Sequence, residues 1–366
     1  MVNAYYTNED SAEWREGADS FKQVTDAASY TRKIPELIGF APGPNGERHC
    51  RYLLQVMGEE RCEVIPTDLL GYDNGYAADL AMMFDSRQRA VTYSQVDHVT
   101  RPTFAEIARF SDQPVPLIDR QCGFIFKAGK DNYGHLLVEM LPRLEIILGG
   151  QLSEPLALLV PTLPLALRNL LSEVIGNLYS GRFELVDMRH SLVQARNLLT
   201  TSPISRHNAQ KSHVLQLFVS KLLYAAEKHS SLPIRSAKKI FISRANAPKR
   251  QMVRAIELEN IARAAGYYVI RPEEFSIWEQ INIFSKAEVV AGFMGAGLTN
   301  VIFCPPHTKV KMFDPGLADY FFCDLASLFD LDFQWIFTQP IGEPSPDRLS
   351  AELEIDLGLF QVHLKC

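Results

Sequence analysis

The amino-acid sequence predicts an α/β protein made of two lobes, with parallel sheets flanked by helices. Three observations lead there. From Lys238 onward, short apolar runs alternate with segments of helical spacing. A similar alternation starts at Gly123. Between the two lies HSSLPIRSA (residues 229–237), which has no periodicity and carries Pro and adjacent serines, the mark of a linker. Ligands of such sheets bind outside the carboxyl ends of the strands, so a site in the cleft between the lobes is expected.

Residues 1–45 are polar and finish in FAPGPNGERH, a Pro/Gly turn. From Arg51 to about Ile118 the runs YLLQVM, CEVIP, AVTYSQV and PVPLI read as strands with some helix. GFIFKAG then reads as a buried strand and NYGHLLVEMLPRLEIILGG as a helix. PLALLVP, FELVDM and LLTTSP suggest strands, with LRNLLSEVIGNLY and VLQLFVSKLLYAAEKH as amphipathic helices. In the second half KKIFISR is a strand and IELENIARAAG a helix stopped by Gly266 at its C′ position. YYVIRP, EVVAGF and VKMFD follow as strands around the helix IWEQINIFSKA.

The 366 residues suffice for about two domains, and 47% hydrophobic with 22% charged residues excludes wholesale disorder. The balance 37 − 43 = −6 argues against a protein held mainly by nucleic-acid phosphates. Six scattered cysteines, without a C-x-x-C pair, speak against a zinc site, and in a chain this long reduced thiols are the simpler reading. The N-terminus is polar and acidic, unlike a secretory signal. The longest apolar stretch, Pro155 to Leu167, has 13 residues and three prolines, too short and broken to span a bilayer. A cytoplasmic protein is expected, with peripheral attachment to the inner face of a membrane compatible with the sequence.

Three constellations carry chemistry. Asn132, His135, Glu139 and Arg143 share one stripe of a helix. The plain alternative is a solvated face with a Glu139–Arg143 pair; the functional one is a His facing a cleft as a general base, assisted or replaced by Glu139. Ser243 and Arg244 end the strand KKIFISR, with Lys249, Arg250 and Arg254 downstream, which is either a phosphate clamp or a basic surface loop. The loop Met294-Gly295-Ala296-Gly297-Leu298-Thr299-Asn300 follows the strand EVVAGF. Such glycines let a backbone approach an anion closely or simply form a tight turn. Asn300 stands where a dinucleotide fingerprint wants glycine, which disfavours a nicotinamide oxidoreductase.

The ordered motifs NYGHLLVEMLPRL, KKIFISRANAPKR and EEFSIWEQINIFSKAEVVAGFMGAGLTNVIF resemble glycosyltransferase family 61 over about residues 123–315. The resemblance implies a GT-B fold of two Rossmann-like lobes. It implies inverting, metal-independent transfer from a nucleotide sugar, a UDP-sugar above all, to an oligosaccharide or polysaccharide, as in bacterial capsule or surface polysaccharide synthesis. No other cofactor and no metal is implied. His135 is then the candidate base with Glu139; Asn132, Ser243, Arg244, Arg250, Gln280, the Gly295–Asn300 loop and Asp314 would serve the donor. Gln280 either contacts the nucleotide or caps neighbouring backbone, and Asp314 is placed to accept from ribose hydroxyls. The chain departs from the family pattern at Met294, where His is common, and at Arg254-Ala255, where Asn-Glu is common. A catalytically inert sugar- or nucleotide-binding subunit of a polysaccharide-assembly complex is the alternative. The expected domains are residues 1–230 on the acceptor side and 231–345 for the nucleotide sugar, with 346–366 packing back on the first.

Overall fold

The computed structural model describes residues 15, 17–39, 61–64, 66–91, 102–109, 114–150, 155–206, 210–229, 237–245, 252–314, 321–337 and 355–365. The sequence readings of YLLQVM, of most of AVTYSQV and of the linker centre lie outside these residues. In chain order the first strands are β1 (Ser20–Gln23), β2 (Ala28–Thr31), β3 (Glu36–Ile38), β4 (Arg61–Val64), β5 (Asp68–Ala78) and β6 (Met82–Phe84). Helix α1 (Phe104–Arg109) precedes β7 (Leu117–Gly123). A single turn, α2 (Tyr133–His135), runs into a π-helical turn (Leu136–Met140) and then α3 (Arg143–Gly149). Next come β8 (Leu156–Val160), α4 (Leu165–Leu178), β9 (Phe183–Asp187) and β10 (Leu192–Thr201). Two short strands, β11 (Ser205–Arg206) and β12 (Gln210–Lys211), lead to α5 (Val214–Lys228). The last third holds β13 (Lys239–Ile242), α6 (Ala255–Ala264), β14 (Tyr268–Ile270), α7 (Ile277–Phe284) and β15 (Val289–Phe293). A 3₁₀ helix (Ala296–Phe303), β16 (Lys309–Asp314), α8 (Phe321–Leu328), β17 (Asp332–Phe337) and α9 (Leu357–Lys365) complete it.

The chain divides into two compact units: Met1–Ala28 with Val64–Arg206, and Ser29–Glu63 with His207–Cys366. The first carries a mixed sheet in the order β1-β5-β10-β7-β8-β9, with β6 also on β5. Strands β10, β7, β8 and β9 run parallel, and β5 and β1 add antiparallel pairs at one edge. All five residues of β8 are buried, the continuous apolar signature of a strand covered on both faces. The second unit carries a six-stranded sheet in the order β14-β13-β15-β16-β17-β3, every pair parallel. Its core centres on Phe241, Phe293, Phe313 and Phe360.

The second half follows the sequence expectation closely, including Gly266 at φ +84° just past α6. Four expectations are corrected. The boundary falls at Arg206/His207 rather than near 230, because α5 packs against α7 within the second unit. Residues 29–63 also join that unit, since β3 pairs with β17. The described C-terminal residues belong to the second unit, where Phe360 and Leu364 of α9 fill the core beside Phe241 and Phe293. GFIFKAG is not a strand either. The strand is the more polar LIDRQCG, and Phe124–Lys127 is irregular though buried. An apolar run reports burial, not strand geometry.

Candidate active site

In the first unit, the chain leaves β7 through buried Phe124–Lys127 and turns at Gly129, whose φ is +88°. A Cβ on Gly129 would lie 2.9 Å from His135 Cδ2, so glycine is required both by the turn and by the ring beside it. Asn132 caps the helix start, its Oδ1 accepting from the amides of Gly134 (2.8 Å) and His135 (3.4 Å). The next turn opens to π geometry: the Leu141 amide donates to the Leu136 carbonyl. Pro142 lacks an amide hydrogen and crowds the carbonyl four residues back, which accounts for the break before α3. π-turns of this kind are frequent at functional sites.

The π-turn carries Glu139, which is 1% exposed. Its Oε2 accepts from Lys127 Nζ (2.7 Å) and lies 2.7 Å from His135 Nδ1, while Ser205 Oγ donates to its Oε1 at 3.3 Å. Burial by itself would push this carboxyl up. The neighbouring Lys127 and the contact with His135 override it and hold Glu139 well below the usual carboxylate range. An ionised carboxylate only accepts, so Nδ1 of His135 carries a proton toward it. The His135 side chain as a whole is 29% accessible.

The solvated face is thereby overturned. Glu139 and Arg143 are both buried, and Arg143 Nε donates to the Glu139 carbonyl oxygen at 2.9 Å. Lys127 and Ser205 were missed by the sequence reading. A lysine closing an apolar run was a signal for the first; Ser205, 66 residues from Glu139, offered none.

In the second unit the strand order reverses between β13 and β15, with β14 on one side and β16 on the other. This topological switch point is where open parallel sheets bind ligands. Ser243 and Arg244 follow β13, and the Gly295–Asn300 loop follows β15. The two motifs meet: a Cβ on Gly295 would lie 1.8 Å from Arg244 Nη1. Its φ of 167° is ordinary extended backbone, so glycine serves here to make room for the guanidinium. Arg244, Ala296 and Gly297 remain partly exposed.

The other expected donor residues are buried in supporting contacts. Ser243 Oγ donates to Glu259 Oε1 at 2.6 Å and accepts from the Ala245 amide. Burial opposes the charge on Glu259, but Ser243, Arg263 and Arg271 hold it below the usual carboxylate value. Asn300 Nδ2 donates to Gln280 Oε1 (2.8 Å) and to the Gly297 carbonyl (3.1 Å), and Gln280 Nε2 donates to the Phe275 carbonyl. Gln280 therefore does cap neighbouring backbone. Leu298 and Thr299 are buried in the same loop. Asp314 is fully buried and accepts from Trp335 Nε1 at 2.8 Å. Met294 is 2% exposed, with its amide on the Phe313 carbonyl. Arg254 is exposed beside Glu257, and Arg250 lies outside the described residues.

Among the described residues no helix is long and apolar enough to cross a membrane, and no cluster of three metal-ligating side chains occurs. No curated protein sequence matches the chain. The family described as Glycosyltransferase 61 matches residues 133–311, from the first turn of α2 into β16, so that just under half of the chain, holding His135, Glu139, Arg244 and the Gly295 loop, is similar to that family.

Proposed function

We propose that the protein is an inverting glycosyltransferase that moves a sugar from a nucleotide-sugar donor to a glycan hydroxyl, its two units being the halves of a GT-B-type enzyme. The observation that carries this reading is the His135–Glu139 dyad within the family match. A buried carboxylate that fixes Nδ1–H leaves Nε2 to take a proton, the arrangement of a general base. The acceptor oxygen attacks the anomeric carbon, its proton passes to Nε2, and the bond from that carbon to the nucleoside diphosphate breaks. Arg244 and the loop it rests on would meet the departing phosphates, since a guanidinium forks onto phosphate oxygens. UDP is the nucleotide proposed, a bacterial capsule or surface glycan the product, and the cytoplasm, with peripheral membrane attachment, the location.

The test is a panel of nucleotide sugars in thermal shift followed by transfer assays with and without excess EDTA. A ligand at about 100 times its Kd adds ~2.7 kcal/mol to stability. The expected result is selective stabilisation by one UDP-sugar and turnover that EDTA leaves nearly unchanged. Stabilisation without transfer or donor hydrolysis would favour an inert binding subunit. Turnover abolished by EDTA and restored by Mg²⁺ or Mn²⁺ would remove the metal-independent mechanism.

A further inference from the structure

Glu139 is a full charge sealed from water, and two of its three side-chain partners among the described residues, His135 and Ser205, are neutral in the state that acts as a base. Lys127 provides the balancing charge at 2.7 Å, on the same Oε2 that faces His135. Its own side chain is 11% exposed, so the pair sits where charges are weakly screened. Other charged groups on the same segments include Arg143, one turn further along, Glu145 beyond it, which accepts from Tyr179, and the Lys130–Asp131 pair on the turn before α2. Arg143 Nε is directed to the Glu139 carbonyl, not to its carboxylate, and Lys130 bonds Asp131.

We propose that Lys127 is a positioning residue for His135: its ammonium keeps the buried Glu139 ionised, and the ionised carboxylate holds His135 in the tautomer with Nδ1–H toward it and Nε2 unprotonated. The part about charge and tautomer stands on the geometry alone; that the unprotonated nitrogen receives an acceptor proton rests on the transferase reading above. If Glu139 took up a proton, it would present a donor to Nδ1, and the imidazole would turn its other tautomer outward with Nε2 protonated and useless as a base. A carboxyl this buried, without its cation, is pushed upward by desolvation, and loss of an opposite charge within about 4 Å adds ~1–3 pH units.

The experiment compares wild type, Lys127→Met and Lys127→Arg in two readouts. One is the titration of the Glu139 carboxyl in the free protein, followed by ¹³C NMR and assigned with Glu139→Gln, together with the ¹⁵N shifts of the His135 ring. The other is the pH profile of kcat with the donor found above. The expected result for Lys127→Met is a Glu139 midpoint at least one pH unit higher, a switch of the His135 tautomer below it, and an acid limb of kcat that moves up in step. Lys127→Arg keeps the wild-type midpoint whatever its rate. An unchanged midpoint in Lys127→Met overturns the proposal, as does a moved midpoint with an unmoved acid limb. If no sugar is transferred by the wild type, the transferase reading fails and the titration alone decides the role of Lys127. If Lys127→Met does not fold, the charge-free pair Lys127→Met/Glu139→Gln decides: folding supports a neutralising role, and failure to fold shows a packing role and overturns it.

Discussion

The His135 region and the Arg244 region share a local plan, a strand of a parallel sheet handing over to a helix, yet they manage charge in opposite ways. Around His135 a negative group is sealed inside and balanced at one oxygen by Lys127, with the partly exposed imidazole beside it. Around Arg244 the positive group itself is partly exposed and rests on bare backbone at Gly295, while Ser243, Gln280 and Asn300 are spent on holding that backbone. A group that must accept a proton needs a fixed tautomer, and fixing it requires a buried counter-charge. A group that must meet phosphates needs an accessible cation and a rigid floor.

That contrast is broken most severely at His135. A base acting only in the chemical step affects kcat far more than donor binding. His135→Ala is expected to lower kcat by ~10²–10⁴ with little change in donor affinity. A folded variant that keeps more than about a tenth of wild-type turnover would move the role to another group.

Arg244 should show the reverse pattern. Arg244→Ala is expected to weaken donor binding by roughly 1.5–3 kcal/mol, the range for a lost charge-assisted contact, without unfolding the sheet. Gly295→Ala should imitate it, since the new methyl group would occupy the place of the guanidinium. Calorimetry on the double variant sharpens the point. If both changes act through the same guanidinium, the double costs no more than either single, and additive losses would show that Gly295 serves the donor independently.

The smallest effect is expected at Asn132. Its Oδ1 caps the first turn that presents His135, and Asn132→Ala should cost ~1 kcal/mol of stability, readable as a lowered Tm. A loss of donor affinity larger than the loss of stability would instead assign Asn132 to the ligand.

The candidate residues were legible wherever the signal was local. The serine and arginine at the end of KKIFISR, the glycines after EVVAGF and the Asn-x-x-His helix start are all read within a few residues, because strand ends and caps are short-range features. What misled was periodicity in NYGHLLVEMLPRLEIILGG. It placed Glu139 and Arg143 on a polar stripe, whereas the π-turn and Pro142 break the helix and both side chains are buried. The buried polar residues Ser243, Gln280, Asn300 and Asp314 carried the right spacing for ligands but received partners from elsewhere in the fold.

The sequence by itself determined the alternation of strands and helices in the second half, the loops at which they hand over, and the residue types available there. Those follow from the period of apolar residues and from the backbone demands of Gly, Pro and Asn. Only the tertiary structure decided that residues 29–63 join the second unit, that Ser205 reaches Glu139 across 66 positions, and that Arg244 occupies the space left by Gly295. These are pairings between distant segments. Their energy comes from burial and from charges brought together in a dry interior, and neither is written in the spacing along the chain.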